Sequence, residues 1–264
     1  MSVHEHAQPV VLYREEGALA YIMLNRPEKL NALNPEVFGL IDRYVAELNA
    51  SNSVRVAVLH GAGRAFAAGA DIGHYVGITA PDYAAFMRSG NAVQQRIVDS
   101  VKPVIAAVHG YALGGGLELA LSCDLIVAEP SAQLGLPEAR LGLVPGGGGT
   151  QRLPRLIGMM RATEMLLTGR RMSGTEAVDA GLALGIGDCA TALEAAEKLA
   201  ERVAAQAPLA VFMAKVLLRK GPEAPLSAGL ALEQAVGAML MATEDSREGI
   251  SAFMEKRAPN FKGA

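Results

Sequence analysis

Short apolar runs alternate with amphipathic stretches of helical length up to about residue 159. The first two apolar runs flank Glu16-Gly17, which predicts a β-hairpin. Asn34 and Pro35 are typical of a helix start, with Asn34 as the cap and Pro35 in the first turn. Strands are predicted over residues 10–13, 19–24, 54–60, 104–108 and 125–128. Helices are predicted over residues 35–49, 81–100 and 115–123. This alternation predicts an α/β fold with crossover connections.

From about Met159 onward the strand signals vanish, and alanine-rich apolar faces at helical spacing dominate. Ser173 and Glu176 have the spacing of a capping box and predict a helix that ends near Gly181. Further helices are predicted over residues 192–206, 209–220, 226–241 and 244–256. The sequence therefore divides into an α/β core over residues 1–200 and a helical region over residues 201–264, with a soft boundary.

The composition changes this picture little, but it narrows the function classes. Hydrophobic residues make up 51% of the 264 positions and charged residues 19%, which is typical of a folded core. A formal net charge of −3 without a basic run argues against nucleic acid as a partner. No apolar stretch has the length of a membrane span, and the first nine residues lack a secretory signal. A cytoplasmic location follows as the expectation, with Cys123 and Cys189 as free thiols.

Several common catalytic motifs do not occur in the sequence. The glycine-rich segments lack the spacing of a dinucleotide fingerprint or a P-loop, so a nicotinamide or nucleotide enzyme has weak support. No His-Glu-x-x-His motif and no Gly-x-Ser-x-Gly elbow is present. We therefore expect no metal site and no bound cofactor.

Two carboxylates in glycine-rich, nearly uncharged segments carry the strongest chemical signal. Glu118 follows three consecutive glycines that lead from a strand into a helix, and Glu138 follows a second short turn. Buried carboxylates are costly and usually act as acid, base or ligand. Because the first N–H groups of a helix lack partners, the Gly115 amide is a candidate oxyanion donor. Ala70, in the tight turn before Asp71, is the second candidate donor.

Each of these features also has a structural interpretation. The three glycines can serve close packing of a helix on a strand, and Glu118 can interact with a helix dipole. Glu138 can pair with Arg140 at a surface turn, and Asp71 can act as a cap or form a local ion pair. The residues alone leave these alternatives open.

Ordered motifs along nearly the whole chain add a family resemblance. They occupy residues 25–33, 65–72, 102–108, 110–118, 123–124, 137–138, 145–152, 180–182 and 247–257. In these segments the chain resembles the crotonase, or enoyl-CoA hydratase/isomerase, superfamily. The resemblance implies a crotonase-like spiral of ββα units with a helical C-terminal trimerisation region. It also implies acyl-CoA thioesters as ligands and a homotrimer or a homohexamer built as a dimer of trimers.

The resemblance further implies roles for individual residues. Ala70 and Gly115 correspond to the oxyanion-hole donors, and Glu118 and Glu138 correspond to the two catalytic glutamates. The substrate and CoA contacts it implies are Lys29, Ala68, Asp71, Ile72 and Gly146, together with basic residues near the C-terminus such as Lys256 or Lys262. One departure is Gly73, because many hydratases have a lysine there that can contact the nucleotide.

These residues predict hydration of trans-2-enoyl-CoA to 3-hydroxyacyl-CoA. An enoyl-CoA isomerase is the nearest alternative, because it forms the same enolate but needs mainly the position of Glu138. Dehalogenases and decarboxylases share the scaffold, and a non-catalytic binding protein is the alternative from another class. The acyl pocket is expected to be lined by Ile72, Tyr75, Val76 and the helix over 81–100, while the chain length of the substrate stays open.

Overall fold

The computed structural model describes residues 9–264, so the prediction about a secretory signal concerns residues 1–8 that lie outside this range. The strands are β1 (Val11–Glu16), β2 (Leu19–Leu24), β3 (Val56–Gly61), β4 (Val104–Val108), β5 (Tyr111–Leu113), β6 (Leu125–Ala128), β7 (Gln133–Gly135), β8 (Arg171–Ser173) and β9 (Leu184–Gly185). The helices are α1 (Pro35–Ala50), α2 (Ala80–Val98), α3 (Gly115–Ser122), α4 (Gly149–Ile157), α5 (Met159–Thr168), α6 (Gly174–Asp179), α7 (Ala192–Ala204), α8 (Pro208–Lys220), α9 (Leu226–Leu240) and α10 (Glu244–Glu255).

Six strands form a large sheet in the order β1-β2-β3-β4-β6-β9, and β5, β7 and β8 form a small sheet. After the antiparallel hairpin of β1 and β2, the strands of the large sheet pair in parallel. Strands β3 and β4 are buried throughout, which explains why both are continuous apolar runs. The chain thus repeats a unit that consists of a strand of the large sheet, a second extended segment and a helix. Successive units lie side by side because their strands are neighbours in the large sheet.

Helices cover both faces of the large sheet. One hydrophobic cluster joins α1 and α2 to the sheet through residues such as Ile41, Leu48 and Ile97. On the other face, α7 presents Ala192, Ala196, Ala200 and Ala204 at a spacing of four residues. This stripe packs against a second cluster that includes side chains of β3 and β4. Residue 200, the predicted boundary between core and helical region, lies within α7.

The elements predicted from hydrophobic pattern agree closely with the structure up to β4. Asn34 caps α1 by accepting a hydrogen bond from Val37 N, and Ser173 and Glu176 form the capping box of α6. The prediction that strands end near Met159 was wrong, because β8 and β9 follow. They have three and two residues, too few for a periodic signal, and their partners β7 and β6 define them. The pattern also missed α4, α5, β5 and β7.

Helix α9 has no buried residue in the single chain although it is strongly apolar. Leu226, Leu230, Leu232 and Met239 are exposed on it, and Phe253 is exposed on α10. Assembly into trimers remains a prediction that such an apolar surface favours. Within residues 9–264 no single helix is long and apolar enough to cross a membrane. Helices α9 and α10, which are bent by 78° relative to each other, together have the length and composition of a span, and nothing else supports one.

Helix α3 packs so closely on the neighbouring backbone that it requires glycine at one position. A Cβ on Gly116 would lie 2.1 Å from the carbonyl oxygen of Ala67. Gly116→Ala should therefore lower the free energy of unfolding by about 1–3 kcal/mol in urea denaturation at fixed protein concentration.

Gly39→Ala is the matched control, since Gly39 is also in a helix but a Cβ there would meet no atom within 4 Å. It should stabilise the protein by about 0.5–1 kcal/mol. Equal effects of the two substitutions would contradict the close helix packing.

Candidate active site

A glycine-rich turn brings the start of α3 to the edge of the small sheet. Gly110 and Gly114 have φ angles of 56° and 52°, which favour glycine. A Cβ on Gly110 would lie 2.0 Å from the carbonyl oxygen of Arg64, so a side chain is excluded there. The Gly114 N–H donates to Gly135 of β7, which fixes the turn against the small sheet. The first turn of α3 is thereby held beside residues 67–71.

The amides of Ala70 and Gly115 border one cavity of about 130 Å³. Leu33 forms a parallel β-bridge with Ala70. In this bridge the Leu33 N–H donates to Gly69 O, and the Leu33 carbonyl accepts from Asp71 N. The N–H of Ala70, which lies between these two residues, therefore points away from Leu33. Gly115 is the first residue of α3, where the N–H has no acceptor within the helix. Within residues 9–264 neither N–H donates to a protein acceptor, and a Cβ on Gly115 would lie 3.6 Å from Ala70 N. The structure thus places the two predicted donors side by side.

Glu118 lies in the first turn of α3 and is only 2% exposed. Its Oε1 accepts hydrogen bonds from Gly147 N at 2.7 Å and Gly149 N at 2.8 Å. Burial raises the pKa of Glu118, and the N–H groups of Gly149 and Gly147 and the charge of Arg152 oppose this shift. Because the two N–H groups occupy Oε1, Oε2 is the oxygen available to the cavity.

Glu138 begins a short 3-10 helix, Glu138–Leu141, and lines the same cavity as Glu118. Its Oε2 is buried and has no hydrogen-bond partner within the described chain. Burial, and secondarily the negative charge of Glu118, raises the pKa of Glu138 to about 7. The alternative pairing with Arg140 is absent among residues 9–264, because the Arg140 side chain packs over Gly169 instead.

The cavity therefore combines two amide donors with two carboxyl groups of different environment. Hydrogen bonds from Gly147 and Gly149 partly offset the effect of burial on the pKa of Glu118, whereas Glu138 Oε2 has no such bond within the described chain and the pKa of Glu138 is raised to about 7. Such an arrangement can polarise a carbonyl, accept a proton at one place and deliver a proton at another. The structural alternative for the three glycines also holds, since Gly116 serves close packing while Gly115 borders the cavity.

The other predicted ligand contacts divide into three groups. Ala68, Ile72 and Gly146 line the cavity. Asp71 forms an ion pair with Arg26 at 3.1 Å, which agrees with the structural alternative for this residue. The basic residues that the resemblance implies as CoA contacts are exposed and lie outside the cavity lining, namely Lys29, Lys256 and Lys262.

Of the residues predicted to line an acyl pocket, Ile72, Tyr75 and residues of the second helix such as Tyr83 and Phe86 line the cavity. The prediction was wrong for Val76, which is 86% exposed and does not line the cavity. Val76 follows the short helix Ile72–Tyr75 in an extended conformation, and this directs it outward. Within the described residues no group of three potential metal ligands of the His, Cys, Asp or Glu type occurs.

Arg26 and Asn31 fix the segments around Ala70 by hydrogen bonds, and neither was identified from the sequence as a site residue. Arg26 donates to Ala32 O at 2.6 Å and to Asp71, while the buried Asn31 donates to Ala62 O and Ala65 O. They tie residues 26–32 to the segment that contains Ala70. The available sequence signal was that both polar residues lie in the short family motif over residues 25–33. This motif does not indicate which groups they bond to.

Gln94 and Arg152 were also missed. Gln94 is 2% exposed and lines the cavity from α2, and Arg152 donates to Gly147 O at 2.7 Å. A signal existed for Gln94, because it falls on the same helical face as the buried residues Gly90, Val93 and Ile97. A polar residue on such a face requires a partner or a role.

Comparisons with known proteins give a consistent result. The family model described as enoyl-CoA hydratase/isomerase matches residues 14–264. A 2,3-dehydroadipyl-CoA hydratase of Escherichia coli is 43% identical over 96% of this chain and 98% of its own length. A short-chain-enoyl-CoA hydratase of Clostridium acetobutylicum is 37% identical over 94% and 95%, respectively. The crystal structure of an enoyl-CoA hydratase from Bacillus anthracis matches with a TM-score of 0.93 at 37% identity, over 97% of this chain and 100% of that one.

Proposed function

Since the chain belongs to the enoyl-CoA hydratase/isomerase family, we propose that it hydrates trans-2-enoyl-CoA thioesters to 3-hydroxyacyl-CoA. The observation that carries this proposal is the buried carboxyl group of Glu118 and the half-buried Glu138, whose Oε2 is buried, on a cavity that also presents two backbone amides without a protein acceptor among residues 9–264. The E. coli and C. acetobutylicum relatives, both named hydratases, support the same reaction class.

In the proposed mechanism the thioester oxygen accepts hydrogen bonds from the amides of Ala70 and Gly115. This polarisation draws electrons from the double bond and makes the β-carbon electrophilic. The oxygen of a water molecule attacks that carbon while Glu118 takes one of its protons. Electrons of the double bond move towards the thioester, and Glu138 delivers its proton to the α-carbon. The pair of carboxyl groups still holds one proton, which passes from Glu118 back to Glu138 by way of solvent before the next turnover, so the net change is the addition of one water molecule and no cofactor is consumed.

The direct test is the hydration of crotonyl-CoA, followed by loss of the absorbance of its conjugated double bond. We expect the absorbance to fall on addition of the protein. A constant absorbance would exclude hydration of short substrates. Conversion of a β,γ-enoyl-CoA instead would establish the isomerase, which needs proton transfer by Glu138 but no activation of water by Glu118.

The pH dependence of kcat/KM follows from the environments of the two glutamates. Hydration requires Glu138 protonated and Glu118 ionised, that is, one proton on the pair. Because the pKa of Glu138 is raised to about 7, kcat/KM should fall as the pH increases above that value. It should also fall in acid, where Glu118 takes up a proton.

A bell-shaped profile of kcat/KM for crotonyl-CoA, with its alkaline side near neutrality, is the expected result. The dehydration of 3-hydroxybutyryl-CoA should show the same profile, because the reaction takes up no net proton. A flat profile from about pH 6 to about pH 9 would contradict the assignment of an acid and a base to this pair.

We further propose that acyl-CoA enters as the substrate without a separate cofactor, and that the protein works as a trimer or a dimer of trimers. The unburied apolar side chains of α9 support association, since so large an apolar helix surface is rarely left in water. Light scattering of the purified protein distinguishes these states from a monomer.

A further inference from the structure

Gln94 is the one buried carboxamide side chain that lines the cavity in the described chain. It extends from α2, next to Val93 and Ile97, which bury the same face of the helix against the core. A carboxamide in such a place is costly unless its donors and acceptor are satisfied. The proposed mechanism above assigns it no task.

Arg152 determines how the carboxamide of Gln94 is oriented. Its Nη1 donates to Gln94 Oε1 at 3.3 Å and to Gly147 O at 2.7 Å. A guanidinium has only donors, so it can face the oxygen of the carboxamide but not the nitrogen. The two N–H groups of Gln94 Nε2 are therefore turned away from Arg152. Within residues 9–264 they have no protein acceptor.

The nitrogen of Gln94 and the free oxygen of Glu118 converge at one glycine. A Cβ on Gly147 would lie 2.6 Å from Glu118 Oε2 and 2.7 Å from Gln94 Nε2. Glycine at this position allows both polar atoms to approach the same point. The two atoms therefore lie at most about 5.3 Å from each other, and a water molecule in the cavity that both residues line can accept from Gln94 Nε2 and donate to Glu118 Oε2 through hydrogen bonds of about 2.7–3.0 Å.

We propose that Gln94 is a further catalytic residue that donates a hydrogen bond to the oxygen of the attacking water. This inference rests on the proposed hydratase function. One hydrogen of the water points to Glu118 Oε2, and one lone pair accepts from Gln94 Nε2. The remaining lone pair is directed at the β-carbon. When this oxygen bonds to the β-carbon, Glu118 takes the proton and Gln94 neither gains nor loses one.

The same contact works in the reverse direction. During dehydration the C–O bond breaks, and negative charge grows on the departing oxygen until Glu118 protonates it. A fixed N–H that is already directed at this oxygen stabilises that charge without reorganisation. The donor is thus useful only in steps that involve the oxygen at the β-carbon.

This restriction supplies a test that distinguishes a catalytic role of Gln94 from a purely structural one. Exchange of the α-protons of butyryl-CoA in D₂O requires the oxyanion donors and Glu138, but no water at the β-carbon. Gln94→Met keeps the length of the side chain and removes the donor. We expect it to lower kcat for crotonyl-CoA hydration about tenfold or more, and to change the exchange rate by less than about twofold.

Gln95→Met is the matched control, because Gln95 is the next residue of α2 and bonds only to Asp99 at the surface. It should leave both rates unchanged. Gln94→Glu is a second variant that keeps an oxygen facing Arg152, and it should show the same split as Gln94→Met at pH values where the new carboxyl is ionised.

Equal loss of hydration and exchange in the Gln94 variants would overturn the proposal, since it would show only a structural role. Unchanged hydration would also overturn it. A failure of the proposed function is distinguishable, because the unaltered protein would then not hydrate crotonyl-CoA at all.

Discussion

Glu118→Gln should lower kcat for crotonyl-CoA hydration by at least about 10²-fold while leaving acyl-CoA binding nearly intact. The amide oxygen of glutamine can still accept from Gly147 and Gly149, which now bond to Glu118 Oε1. The loop that carries these glycines should therefore keep its position. What the variant loses is a base on the side of the cavity where water is activated. Exchange of the α-protons of butyryl-CoA should persist.

Glu138→Gln is the informative counterpart. Its side chain has a buried Oε2 without a partner among residues 9–264 and a pKa raised to about 7, as expected for a group that exchanges a proton with substrate. This variant should lose hydration by at least about 10²-fold and lose α-proton exchange as well. Measured side by side, the two variants assign separate roles. Full activity in either would refute the mechanism with two carboxyl groups.

The fold could be predicted where the signal is local or repeated. Asn34 and Ser173 identified helix starts because a cap depends on residues within one turn. Strands β3 and β4 were found because both faces are buried, which requires a continuous apolar run. The crotonase-like α/β fold implied by the family motifs is confirmed by the TM-score of 0.93. Assembly into trimers stays a prediction, since a single chain shows only exposed apolar side chains on α9.

The elements that the pattern missed are those defined by distant partners. Strand β8 has three residues and is a strand because β7 pairs with it. Its sequence, Arg-Met-Ser, contains no alternation long enough to recognise. Propensity is a weak guide when so few residues are involved, and tertiary pairing then decides the conformation.

The candidate site shows the same limit at the level of side chains. The glutamates and the glycine turn could be predicted because each has a local sequence signature. The partner of Asp71 is 45 positions away at Arg26, and the partner of Gln94 is 58 positions away at Arg152. No spacing in the sequence encodes such contacts. The pKa of Glu138 depends equally on burial, which only the folded chain provides.

Gly115→Val should abolish turnover by filling the space between the two oxyanion donors. A Cβ at this position meets nothing closer than 3.6 Å, and its contacts are Ala70 N and the Leu33 side chain. The protein should therefore fold, in contrast to the strain expected at Gly116. The added methyl groups would stand where the proposed mechanism places the thioester oxygen. Losing a single donor of this kind typically costs about 10²–10³ in kcat, and here access to both is blocked.

The expected result for Gly115→Val is a fall in kcat/KM for crotonyl-CoA of at least about 10³-fold, with loss of butyryl-CoA binding in calorimetry. Free CoA, which has no thioester carbonyl, serves as the control ligand and should bind as it does to the unaltered protein. An unfolding midpoint in urea close to that of the unaltered protein would show that the fold is intact. Unchanged kinetics would mean that the carbonyl does not lie between Ala70 and Gly115. If the binding of free CoA were lost as well, the substitution would have disturbed the site that holds the nucleotide part of CoA. A side chain confined to the space between the two amides is not expected to contact that part.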